Sequence, residues 1–132
     1  MTEKLDQDVE EQQATVKGLE RAVNLLLPKL QMYRAGLEAN GPSEFGGAIR
    51  QMFRSYAMVV GTLRWELDEI AGRSTDARFR AEDAFESRLE DVDTLREQLG
   101  TVKDPVKRDT LIEELEVAEQ FADAAMVEFA AE

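Results

Sequence analysis

The 132-residue chain carries 28 acidic against 16 basic residues, a formal net charge of −12, and neither cysteine nor histidine. Disulfides, thiolate metal sites, cysteine nucleophiles, the usual neutral-pH general base and the Glu-x-x-His pairs of di-iron bundles are thereby excluded. So much acid also argues against direct binding of nucleic acid or an anionic membrane, whose phosphates need clustered Lys and Arg; yet 43% hydrophobic residues are too many for a disordered chain.

The opening residues TEKLDQDVEEQQ have neither a basic start nor an apolar run, so no signal peptide is expected and the cytoplasm is the expected compartment. The length suits one core, and residues 1–132 are expected to form a single helical domain.

The first helix is expected over residues 1–39, with Thr2 as N-cap and Glu3 and Asp6 in the first turn, where negative charge suits the helix dipole. Its apolar seam runs Leu5, Val9, Gln12, Val16, Leu19, Val23, Leu26, Leu30, Tyr33, Leu37, interrupted only by Gln12. A repeat averaging three and a half residues predicts coiled-coil packing along a partner helix. Pro28 removes the hydrogen bond to the Asn24 carbonyl, so the helix is expected to kink or to break there.

Asn40, Gly41 and Pro42 predict a turn, and Ser43 a cap for a second helix over 43–71, weak in its first turn at Gly46 and Gly47 and secure from Ala48. This helix carries a main apolar seam, Ile49, Phe53, Tyr56, Val60, Leu63, Leu67 and Ile70, and a second stripe half a turn away, Arg54, Met58, Gly61 and Trp65. Its charges cancel, with Glu44, Glu66, Asp68 and Glu69 against Arg50, Arg54, Arg64 and Arg73, and two apolar sides make it the expected central helix.

Gly72 predicts the stop, and Ser74, Thr75 and Asp76 the start of a third helix over 75–99 with an apolar row of Phe79, Phe85, Leu89, Val92, Leu95 and Leu99. Gly100 ends it. Asp104 and Pro105 form an N-cap and first-turn proline for a fourth helix over 105–130, with Leu111, Leu115, Ala118, Ala122, Ala125 and Phe129 as its row. Short connections make consecutive helices antiparallel neighbours. The expected fold is therefore an all-α, antiparallel four-helix bundle with a long, coiled-coil-like, Pro-kinked first helix.

A straight first helix would reach about 55 Å, against nearer 38 Å for the third and fourth, at 1.5 Å per residue. The arm 1–19 is thus expected either to project beyond the bundle, leaving Leu5, Val9, Val16 and Leu19 to pair with another chain, or to fold back if Pro28 breaks the helix.

Two further surfaces attract notice. The stripe Arg54, Met58, Gly61, Trp65 has the residue types of interface centres and is read either as a docking face or as covered by the chain itself. Acidic ridges recur at helical spacing: Glu82, Glu86, Glu90, Asp93 and Glu97 on the third helix, Asp109, Glu113, Glu116 and Asp123 on the fourth. These are read as solvated faces partly neutralised by Arg78, Arg80, Arg88 and Arg96, as a phosphate-backbone mimic for a basic partner, or as carboxylate ligands for Ca²⁺ or Mg²⁺, although no EF-hand loop is present.

No phosphate-cradling glycine loop occurs, and nothing in the pattern buries a carboxylate pair for acid–base work, so no catalytic residue, metal or cofactor is expected. The expected function is that of a non-enzymatic, self-associating helical assembly or adaptor protein, a homo-oligomer acting through protein–protein contacts, such as a structural component of a larger cellular or phage assembly. The alternative is an acidic helical inhibitor or nucleic-acid mimic that binds a basic partner protein.

Overall fold

The computed structural model describes residues 2–40 and 44–132, with side chains over 6–39 and 47–132. Four helices occupy nearly all of them: α1 (Thr2–Asn40), α2 (Glu44–Ile70), α3 (Asp76–Thr101) and α4 (Pro105–Ala130). The chain is all-α, with the expected number and order of helices. The turn at Gly41 and Pro42 and the Ser43 cap lie outside the described residues. The helix α2 already includes Gly46 and Gly47, the turn expected to be weak. By its contacts the chain divides into two compact units, Met1–Asp76 with Ala130–Glu132, and Ala77–Phe129.

The first unit is built on an antiparallel hairpin of α1 and α2. Tyr33 stacks on Tyr56 with ring centroids 5.5 Å apart. Three residues on, a Cβ built at Gly36 would lie 3.3 Å from the Ile49 Cγ2, so the missing side chain lets the two helices close up. At the far end the Gln12 amide donates to the Ile70 carbonyl at 3.5 Å. Along the hairpin, Val23 and Leu30 from α1 and Phe53, Ala57 and Val60 from α2 are buried. The middle of the heptad is therefore core, as its period predicts.

Pro28 lies inside an uninterrupted α1. The expectation of a break, with an arm folding back, does not hold. Pro28 and Asn24 are both exposed, where water can satisfy the carbonyl that loses its donor. The helix α2 ends at a Schellman motif: Gly72 adopts a left-handed φ of 71°, its N–H bonds to the Glu69 carbonyl at 3.1 Å, and that of Arg73 to the Asp68 carbonyl at 2.8 Å. A side chain at that φ would cost about 1–2 kcal/mol, which is why glycine stops the helix here.

In the second unit α3 and α4 pair antiparallel. Phe85 meets Phe129 edge-on at 5.4 Å, and Arg96 reaches Glu119 at 2.7 Å. The buried row of α4, Ala118, Ala122, Ala125 and Phe129, matches its sequence pattern, and Met126 joins it. That of α3 does not match throughout. Phe79 is 60% exposed, while Arg78, Ala81, Phe85 and Val92 are buried. The buried guanidinium of Arg78 donates to the Phe129 carbonyl at 2.7 Å. A helix leaves its last carbonyls without partners, and α4 has no basic residue in its own last turn. An arginine from α3 supplies the donor and the positive charge that this helix end attracts. In the first unit Arg64 likewise donates to the Ala130 carbonyl. At the other end of α4, Asp104 caps the helix, its Oδ1 accepting from the Val106 N–H at 3.0 Å with Pro105 as first residue.

Candidate interaction surfaces

The hairpin geometry sets the fate of the N-terminal seam. Because Gln12 meets the last residue of α2, the residues of α1 before it extend past α2 by about three turns, roughly 15 Å. Every residue from 6 to 15 is exposed, and Val9 stands 51% exposed. Val16 and Leu19 are half-buried, and the side chain of Leu5 lies outside the described ones. The seam thus passes from core at Val23 to open surface at Val9.

The second stripe of α2 divides differently. Arg54 is 7% exposed and Gly61 is buried, so both are covered within the chain itself. Met58 alone is exposed, at 40%; Trp65 is half-buried and its indole N–H donates to Glu69 Oε1 at 3.0 Å. Of these four residues, Met58 and part of Trp65 are what the stripe presents to solvent.

The acidic ridges remain largely in solvent: Glu86, Glu90, Asp93, Glu97, Asp109 and Glu113 are exposed, Glu82, Glu116 and Asp123 half-buried. Arg78 points to a backbone carbonyl, Arg96 to the buried carboxylate of Glu119, and Arg88 to Asp91 and across the Phe121 ring, 4.8 Å from its centroid. Among the described residues no group of three acids stands close enough to hold a metal ion, so the Ca²⁺ or Mg²⁺ reading of the ridges finds no site. Beside the ridges, an open groove of about 570 Å³ runs between α3 and α4, lined by Arg88, Leu95, Gln98, Glu113, Val117 and Phe121 among others.

A further face was not evident from the apolar seams. Leu25 and Met32 on α1 are 72% and 55% exposed, Met52 and Val59 on α2 42% and 47%. The antiparallel pairing places Met32 level with Met52 and Leu25 level with Val59. At 100° per residue, both helices run in the same sense from buried row to contact row to exposed pair. In α1 that order is Leu30, Tyr33, Met32; in α2 it is Phe53, Tyr56, Met52. The two exposed pairs therefore open on one side of the hairpin, away from its buried rows.

The charges around this face are segregated. Neither residues 21–37 nor residues 45–65 contain an acid, while they hold Arg21, Lys29, Arg34, Arg50, Arg54 and Arg64. The hairpin folds these two stretches against each other, giving an acid-free body in a chain of net charge −12. The sequence held this signal in the positions of its acids, which an overall charge averages away.

No described helix is long and apolar enough to cross a membrane. No protein-family model, curated protein or solved structure matches the chain.

Proposed function

We propose that this chain is a non-enzymatic, self-associating helical assembly protein whose contacts are made through the N-terminal arm of α1. The observation that carries the reading is the overhang: an unbroken helix continues about three turns beyond its partner α2, taking the apolar seam into solvent at Val9. Removing one apolar row from water is the usual reason for such a helix to acquire a partner chain. The absence of histidine and cysteine from the sequence supports a role in binding over one in catalysis.

Gel filtration with light scattering tests it. The intact chain should elute as an oligomer at tens of micromolar, and removal of residues 1–16 should yield a monomer with the helicity of the remaining chain. An intact chain that is already monomeric there refutes the reading.

One observation favours a second reading, capture of a basic protein. Residues 77–129 hold fifteen acids against seven bases, and six of the nine ridge carboxylates are exposed. Such a complex should weaken steeply with salt, because exposed charges are screened over about 8 Å at physiological ionic strength.

A further inference from the structure

The exposed face of the α1–α2 hairpin and the exposed arm of α1 are opposite in charge. We propose that the face formed by Leu25, Met32, Met52 and Val59 receives the N-terminal arm, residues 2–16, of a second copy of the chain. The inference rests on the self-association reading of the arm and names the surface that the arm engages.

Charge selects the occupant. The arm carries Glu3, Asp6, Asp8, Glu10 and Glu11 against a single base, Lys4. Pairing arm with arm would set five acids against five and is opposed by like-charge repulsion. The hairpin body has no acid, and Arg21 and Lys29 are exposed on α1 beside Leu25. An acidic arm with apolar residues at Leu5 and Val9 matches an apolar face with a basic margin.

Connectivity makes the occupant a second chain. Val9 and Leu25 belong to one uninterrupted helix, and sixteen residues of helix separate them by about 24 Å. The arm therefore has no way to reach the face of its own hairpin. Under a two-fold axis the arm of each copy lies on the face of the other, giving two equivalent contacts. Each contact is about 22 Å long and two helices wide, near 18 Å. The pair would cover about 800 Å² per partner, the size of a standard stable interface.

The cysteine-free sequence makes cross-linking a clean test. Val9→Cys and Leu25→Cys both alter exposed side chains, and unchanged helical circular dichroism would show that each variant folds. One variant is isotope-labelled, the two are mixed, and a short bis-maleimide is added. The expected product is a covalent pair containing one labelled and one unlabelled chain, with neither variant cross-linking to itself. A second arm uses charge: Arg21→Glu with Lys29→Glu should weaken association about tenfold or more, and adding Asp8→Lys with Glu11→Lys should restore it. If Val9→Cys instead cross-links to its own kind, the arm pairs with another arm; the face assignment falls while self-association stands. An oligomer in which position 9 reaches neither partner position, or in which the charge exchange restores nothing, also overturns the face. A chain that remains monomeric by light scattering overturns both readings.

Discussion

Truncating Arg78, Phe79 and Phe85 of α3 one at a time tests the register of its buried face. Phe85 is 1% exposed and Phe79 60% exposed. A phenylalanine buries about 200 Å² when fully covered, and about 25 cal/mol per Å² gives ~5 kcal/mol for Phe85 and ~2 kcal/mol for Phe79. Because an unfolded chain already hides part of this area, both figures are upper bounds, and their ratio is the firmer quantity. Arg78→Ala removes a hydrogen bond from a charged donor to the Phe129 carbonyl, a loss of about 1.5–3 kcal/mol. Urea unfolding followed by circular dichroism, with the dependence on denaturant unchanged, would report these differences. Phe85→Ala should cost the most, and Phe79→Ala less than half as much. If Phe79→Ala were as damaging as Phe85→Ala, the helix would be rotated toward the register that the sequence suggested and the reasoning would be refuted.

Other expectations concern caps and the tryptophan. Gly72→Ala should destabilise the chain by about 1–2 kcal/mol, since the residue sits at φ 71°. Gly18→Ala, in a helix with nothing within 4 Å of the added carbon, should stabilise it by about 1 kcal/mol or slightly less; melting temperatures moving in the same direction for both would contradict the assignment. Asp104→Ala should cost about 1 kcal/mol through loss of the bond to the Val106 N–H, with Asp104→Asn retaining most of it. Trp65→Ala should lower thermal stability while leaving the oligomeric mass unchanged, because the stripe is covered at Arg54 and Gly61. A folded variant that becomes monomeric would favour the interface reading of Trp65.

Much of the architecture was legible because local rules agreed with one another. The Gly72 stop and the Asp104–Pro105 start are determined within a few residues of chain, and each has its expected geometry. The row of α3 was misread at its N-terminal end, where Phe79 and Arg78 are adjacent and apolarity alone favours the phenyl ring. An arginine has an apolar stem, and its head reaches the end of α4, a partner fifty-one residues away that no local pattern reveals. The covering of Arg54 and Gly61 is likewise tertiary information. The face of Leu25, Met32, Met52 and Val59 needed the hairpin pairing to bring its two halves level. Its lack of acid was readable in the sequence, but only by asking where the acids are not.

Self-association is the central claim, and sedimentation equilibrium of the unmodified chain, from sub-micromolar to tens of micromolar and at low and high salt, tests it most directly. The account predicts a mass of at least twice the 14.9 kDa chain at the upper concentrations, shifting toward the monomer as salt screens the acidic arm from the basic margin of its partner's hairpin. A single species of 14.9 kDa across the whole range would contradict it.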